Sequence, residues 1–285
     1  MRPTLSERVE AAKAATEASD TTRSSPLRDT RKMEPELVAI VGPTGAGKSE
    51  LSLLVARAFD GEIVSCDALQ VYRGVDVGTA KLSPQARVGI PHHLLDVVPP
   101  TEEFSAARFV ELAVPVIEEI ERRGKLPIVV GGTGLYLRAL RRGLFRGPGR
   151  SPELREKLDE IAERRGPRVM HRLLRRWDPL SAARIHENDR VRIVRALEVC
   201  RATGRPMSEL MATRQRPLTG FRDILVGLRP PRDLLSARIE RRVGEMFSRG
   251  LVKEVSALKE KFGSGVPAFK AIGYRETLKL IAGEI

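Results

Sequence analysis

Leu37-Val38-Ala39-Ile40-Val41-Gly42-Pro43-Thr44-Gly45-Ala46-Gly47-Lys48-Ser49 is the stretch whose reading decides the fold. Five apolar residues in a row, closed by glycine, predict a buried strand, and the apolar-periodic run from Ser49 to Phe59 predicts a helix. Between them, Gly42 to Ser49 match G-x-x-x-x-G-K-[ST] at every fixed position, in the strand-loop-helix setting that a phosphate-binding loop requires. Glycine lets the backbone curl so that several N–H groups converge on phosphate oxygens, and the positive end of the helix dipole adds to their pull. Lys48 supplies a point charge and Ser49 a hydroxyl for Mg²⁺. Gly42, Pro43, Thr44, Gly45, Ala46, Gly47, Lys48 and Ser49 therefore read as a site for a di- or triphosphate.

Outward from this loop, Glu62–Cys66 predicts a second strand, followed by an irregular stretch to about Pro100. Ser105 is placed to cap a helix running to Arg123, and Leu126–Val130 predicts a third strand bounded by Gly131-Gly132. Strands alternating with helices imply a parallel, doubly wound sheet. Residues 146–220 read as almost purely helical, starting with Ser151 as N-cap and Pro152 in the first turn of a helix that Gly166 stops. Further helices are predicted around 168–176, 179–185 and 188–203. The core resumes with a strand over Asp223–Leu228 and a helix after Pro230-Pro231. The expected fold is α/β: a P-loop NTPase-like parallel-sheet core, residues 34–145 and 221–285, carrying an inserted all-helical basic subdomain over 146–220. Residues 1–33, rich in Ser, Thr, Ala and Arg, read as a disordered extension whose acidic residues argue against an organelle transit peptide.

The chain carries 50 Lys and Arg against 37 Asp and Glu, a net charge of +13. Most of the excess falls between Arg138 and Arg216, with 21 Lys or Arg against 10 Asp or Glu. A polyanion is the natural partner of such a segment, the plainer reading being solvated helix faces in an arginine-rich chain. Aromatic residues make up 4%, too few for a platform that stacks single-stranded bases. No apolar run reaches a membrane span and no signal-peptide core is present, so a cytoplasmic location is expected. Cys66 and Cys200 read as reduced thiols, and His186 as a packed or capping residue, because neither has a partner at ligand spacing.

A P-loop identifies a phosphate site without naming the reaction. Nucleotide-hydrolysing and phosphoryl-transferring members place a carboxylate at the end of a neighbouring strand. Here the third strand runs instead into Gly131-Gly132-Thr133-Gly134-Leu135-Tyr136. A small-molecule kinase using Asp67 stays open on these residues, as does a non-catalytic RNA-binding protein. Six motifs narrow the choice: the P-loop, Asp67–Gly74, Gly78-Thr79-Ala80-Lys81, Gly131–Tyr136, Arg184–Asp189 and Ala271-Ile272-Gly273-Tyr274-Arg275. In order and approximate spacing they resemble the tRNA dimethylallyltransferases (tRNA isopentenyltransferases), and the likeness runs from Leu37 to the last residue.

That resemblance implies transfer of a dimethylallyl group from dimethylallyl diphosphate to N6 of the adenine next to the anticodon. Diphosphate leaves, Mg²⁺ assists, and ATP is neither substrate nor cofactor. It implies Asp67 as general base, with Thr133 and Arg242 facing the leaving group. For the anticodon stem-loop of tRNA it implies contacts from Asp67-Ala68-Leu69-Gln70, Val191-Arg192-Ile193-Val194-Arg195 and Lys270-Ala271-Ile272-Gly273-Tyr274-Arg275. Arg155, in the first turn of an insertion helix, is a further candidate. The related adenylate isopentenyltransferases act on free nucleotide and have no need of a basic insertion of this size. No membrane and no second subunit is expected. Members of the family continue past the point corresponding to Ile285 with a further helix and an Arg/Lys-rich segment, which implies a weaker tRNA grip here.

Overall fold

The computed structural model describes residues 34–145, 147–149, 151–213 and 217–285, so the expected N-terminal extension lies outside the described residues. They divide into two compact units: one runs from the first described residue to Leu140 and resumes over Leu218–Ile285, and the other is Arg141–Pro217.

In the first unit, β1 (Glu36–Val41), β2 (Gly61–Ser65), β3 (His92–His93), β4 (Leu126–Gly131) and β5 (Arg222–Gly227) form one parallel sheet in the order β3-β2-β4-β1-β5. Side chains alternate across each strand, so the two faces of the sheet have different covers. Val38, Ile40, Ile63, Ile128 and Val130 pack on one face against Leu51, Val55 and Ala56 of α1 (Lys48–Phe59). Leu37, Ala39, Val64 and Val129 pack on the other against α2 (Ala106–Arg122) and α3 (Gly134–Arg142). Phe109, Ala113, Ile117 and Ile120 of α2 recur at helical spacing and are fully buried, each large one contributing about 1.5–3 kcal/mol. Ser105 caps α2, its Oγ accepting from Arg108 N at 3.2 Å. The helix keeps its course through Pro115.

Around the sheet, three elements depart from the sequence reading. The sheet has a fifth strand, β3, whose two residues are too few to show any periodicity. The motif after β4, to which the sequence reading assigned no element, becomes helical at Gly134. The second strand ends one residue earlier than expected, at Ser65.

Gly131, where β4 leaves the sheet, shows why that motif begins with glycine. A Cβ there would stand 1.9 Å from the Cys66 carbonyl oxygen, and the obstacle is backbone that cannot rotate away. Gly131→Ala is expected to destabilise the protein by at least the upper part of the roughly 1–3 kcal/mol typical of overpacking. Thermal unfolding followed by circular dichroism checks this, and an unchanged melting temperature would contradict the close approach.

The second unit is all helix: α4 (Pro152–Arg165), α5 (Pro167–Trp177), α6 (Pro179–Arg184), α7 (Arg190–Thr203) and α8 (Met207–Ala212), the last not foreseen from sequence. Ser151 caps α4 by accepting from Leu154 N, and Asp178 and Asp189 cap α6 and α7 through the N–H groups of Ser181 and Arg192. Leu158, Met170, Leu174, Ile193, Val194 and Leu197 fill its core.

Two carboxylates are fully buried in this unit, the capping Asp178 and Glu198, and Glu198 is the one that gathers arginines. It accepts from Ser151 N at 2.8 Å, from Arg155 Nε and Nη2 at 3.0 and 3.1 Å, and from Arg195 Nη1 at 2.7 Å. Burial works to raise its pKa, but these donors outweigh burial and hold it at about 2. The stabilisation is present above the ordinary carboxylate range and is lost as the pH falls from about 5 towards 2. Wild-type protein is expected to exceed Glu198→Gln in stability by on the order of 2 kcal/mol near neutrality, allowing for solvent screening, with the gap closing in acid. The fluorescence of the single tryptophan, Trp177 at the end of α5, reports that unfolding.

Beyond β5 the first unit continues with α9 (Arg232–Ser248), α10 (Leu251–Phe262) and α11 (Tyr274–Ala282). Val71, Tyr72, Val75 and Val98, from the irregular stretch after β2, pack with Leu251, Val255, Phe269 and Tyr274. Among the described residues, no helix is long and apolar enough to cross a membrane.

Candidate active site

The loop from Gly42 to Gly47 leaves β1 through backbone that disfavours side chains. Gly45 and Gly47 have φ of 81° and 90°, in the left-handed region where a Cβ is strained. Gly47 caps α1 without any side-chain bond, so the first N–H groups of the helix keep no acceptor within it. A Cβ on Gly45 would meet Ile239 at 3.3 Å and Leu235 at 3.4 Å, which makes α9 the roof of the loop. Lys48 Nζ donates to the carbonyls of Gly42 and Pro43 at 2.9 and 2.8 Å, folding the ammonium back across the loop.

Three ionisable side chains share this place. Burial pulls the Lys48 pKa below its ordinary value, the charge of Asp67 pushes it back up, and Arg242 lowers it again. Burial likewise lowers Arg242, with Asp67 and Glu245 opposing. Asp67, half-buried just past β2, is therefore within the electrostatic reach of both cations. Its Oδ1 accepts from the N–H groups of Leu69 and Gln70 at 2.9 and 3.3 Å, which fixes the carboxyl on the turn that follows.

Thr133 closes the site from the end of β4. Its Oγ1 accepts from Ala68 N at 3.1 Å and its N–H donates to the Cys66 carbonyl at 3.4 Å, so the turn carrying Asp67 is tied to the neighbouring strand end. The Thr133 hydroxyl hydrogen remains for a further acceptor. Arg242 Nη2 donates to the Thr79 carbonyl at 2.9 Å, while its buried Nε has no partner among the described residues. A buried donor left unpaired costs about 1–3 kcal/mol, and an anion bound beneath α9 would remove that cost. Gln70 is already committed, accepting from Ser65 Oγ at 3.1 Å and donating to the Thr79 carbonyl at 3.4 Å. Cys66 is an inert thiol, pushed up to about 12 by burial with Asp67 adding to the effect.

The sequence reading did not foresee the frame behind these residues. Glu254 of α10 accepts from the N–H groups of Asp76, Val77 and Gly78 at 3.0, 2.7 and 3.2 Å, and the Tyr274 hydroxyl also donates to it. Buried Lys81 donates to the Tyr72 carbonyl at 2.9 Å and pairs with Asp76 and Asp96. Together they hold Thr79, and through it Arg242. No spacing in the sequence links Glu254 to residues 76–78.

The expected RNA-contact residues are placed unequally. Lys270, Ile272 and Arg275 are exposed, and Arg275 pairs with Glu276. Tyr274 is fully buried. In α7, Val191 and Arg192 face solvent, whereas Ile193 and Val194 belong to the core of the helical unit. Arg155 and Arg195 converge on Glu198.

Comparison with known proteins follows the same lines. The family model described as IPP transferase matches residues 70–285. The tRNA dimethylallyltransferase of Koribacter versatilis (strain Ellin345) is 50% identical over 252 residues, covering 88% of this chain and 82% of the relative. That of Solibacter usitatus (strain Ellin6076) is 50% identical over 250 residues, covering 87% and 81%. Among solved structures, the full-length tRNA isopentenylpyrophosphate transferase of Bacillus halodurans is similar with a TM-score of 0.62 and 39% identity, over 88% of this chain and 79% of that one. A eukaryotic dimethylallyltransferase acting on tRNA gives a TM-score of 0.70 at 33% identity, over 88% and 64%.

Proposed function

Because the chain belongs to the tRNA dimethylallyltransferase, or IPP transferase, family, we propose that it moves the dimethylallyl group of dimethylallyl diphosphate onto N6 of the adenine next to the anticodon in tRNA, acting as a single chain in the cytoplasm. The observation that carries this reading is the meeting of one carboxylate, Asp67, with two partly desolvated cations, Lys48 and Arg242, beside a loop built for phosphate.

In the reaction, a bond forms between N6 and the allylic carbon while the bond from that carbon to the diphosphate oxygen breaks. The electron pair leaves with the diphosphate, and the N6 proton passes to Asp67. An exocyclic amine is a weak nucleophile, so a base placed at its proton contributes about 10²- to 10⁴-fold in rate. The N–H groups of the P-loop, Lys48, Arg242 and the Thr133 hydroxyl are the donors for the departing oxygens. A fixed donor of this kind is typically worth about 2.7–4 kcal/mol. An adenine in an anticodon loop must be extruded to reach Asp67, at roughly a few kcal/mol, and an unpaired loop keeps that cost low.

Mg²⁺ fits this donor set in one way. Among the described residues no cluster of His, Cys, Asp or Glu could hold a metal. The Ser49 side chain is exposed at the start of α1, and its hydroxyl has no hydrogen-bond partner among the described residues. Ser49 would hold the ion together with diphosphate oxygens and water. Bound there, it would neutralise charge building on the leaving group.

The test is incubation of the protein with tRNA, dimethylallyl diphosphate and Mg²⁺ without ATP. Prenylated tRNA is the expected product. Prenylated free AMP would favour adenylate isopentenyl transfer, and phosphoryl transfer from ATP a kinase.

A further inference from the structure

Arg164 to Arg176 holds six arginines and no acidic residue in thirteen positions. Five of them, Arg164, Arg165, Arg172, Arg175 and Arg176, line an open cleft of about 790 Å³ formed by α4 and α5 within the helical unit. The sixth, Arg168, pairs with Glu187 and does not line it. Gly166 makes the juxtaposition possible, since its φ of 77° lets α5 start one residue after α4 ends. The arginines at the end of α4 are thereby set beside those spaced along α5. All five are exposed and form no ion pair among the described residues.

Like charges three and four residues apart on a helix repel. The free protein thus carries a strained positive face that an anion would relieve. Every lining charge is an arginine, the side chain whose planar fork takes two phosphate oxygens at once. The floor is Ile161, Val169 and Leu173, and no aromatic ring lines the cleft, so unpaired bases have nothing to stack on. Five exposed guanidiniums spread along an open cleft suit a run of phosphates rather than one small enclosed ligand.

We propose that this cleft binds the sugar-phosphate backbone of an RNA double helix, serving as a second, sequence-independent grip on a tRNA stem apart from the loop that carries the target adenine. The proposal rests on the tRNA reading above and adds to it: Arg155 and Arg195 are held by Glu198, whereas the cleft arginines are available.

The test uses the full chain, a tRNA transcript and a blunt RNA duplex of about 20 base pairs containing no loop. Arg172→Gln combined with Arg176→Gln is expected to weaken both RNAs about tenfold near 0.1 M salt. It should also reduce the slope of log affinity against log salt by about two, one for each phosphate that an arginine no longer neutralises. In prenyl transfer the loss falls on KM for tRNA rather than on kcat. The conservative pair, Arg172→Lys with Arg176→Lys, restores the salt slope because the charge is kept, which a merely structural defect would not do. Unchanged affinity and slope in the Gln variant would overturn the proposal, as would inorganic phosphate saturating the cleft without competing against the duplex. If the wild-type protein prenylates tRNA and the Gln variant does so with the same KM, the cleft assignment fails while the function stands. If no tRNA is prenylated yet the variant no longer binds the duplex, the cleft stands and the functional reading fails.

Discussion

Asp67→Asn lowers kcat for prenyl transfer by about 10²- to 10⁴-fold while tRNA binding is largely kept. Asparagine is the informative replacement because of what Asp67 does besides accepting a proton. Its Oδ1 accepts from Leu69 and Gln70, and the amide oxygen of asparagine can take both bonds, so the turn is preserved and only the basic carboxylate is lost. Alanine removes the turn bonds as well, and its effect mixes chemistry with structure. Single-turnover prenylation with saturating tRNA and dimethylallyl diphosphate measures the step directly. An asparagine variant with kcat within a few-fold of wild type would end the assignment of Asp67 as base, whatever happened to KM.

Lys48→Met is expected to cost about 10²-fold or more in kcat/KM, the order seen when a donor to a developing oxyanion is removed. Methionine retains much of the length and loses the charge that the loop curls around. The same lysine gives a pH signature whose sign follows from its surroundings. Burial lowers its pKa, so the charged form is lost at a lower pH than for a free lysine, and activity should decline correspondingly early on the alkaline side. Asp67 opposes that shift. Removing its charge in Asp67→Asn should move the alkaline decline of diphosphate binding to still lower pH, whereas bound diphosphate should move it up. Calorimetric titration with inorganic diphosphate across the alkaline range reads both effects, and a decline at the same pH in both proteins would show that the two side chains are not coupled.

The parts legible in the sequence were those fixed locally. Leu37–Ser49 announced β1, the loop and α1, because apolar run, glycine spacing and periodicity are all readable within thirteen residues. Ser151-Pro152 and Gly166 marked both ends of α4 for the same reason. The fifth strand escaped because two residues cannot show alternation: His92-His93 joins β2 by backbone pairing and by a bond between the His93 ring and the Glu62 carboxylate, neither of which a local side-chain pattern advertises. The site was legible as a set of motifs but not as a mechanical arrangement. Glu254 and Tyr274 act on residues 76–78 across nearly the whole core, and a contact at that separation leaves no mark on local composition. The arginines of the insertion illustrate the opposite problem. Arg155 and Arg195 look like Arg172 and Arg176 in a charge count, and only the burial of Glu198 separates those that hold the fold from those that face outward.

The Glu254 clasp also sets a timetable. Its bonds to Asp76 and Val77 span 178 and 177 residues, so the P-loop and Asp67 leave the ribosome long before the carboxylate that steadies the loop beside them. Synthesis proceeds at about 5–20 residues per second, which leaves an interval of roughly ten to forty seconds between the two events. During that interval the nascent chain can form β1, the glycine loop and α1 without the frame that holds Thr79 against Arg242. The enzyme is thus assembled from its two ends, and a translation product halted before α10 carries the phosphate loop without the scaffold for catalysis.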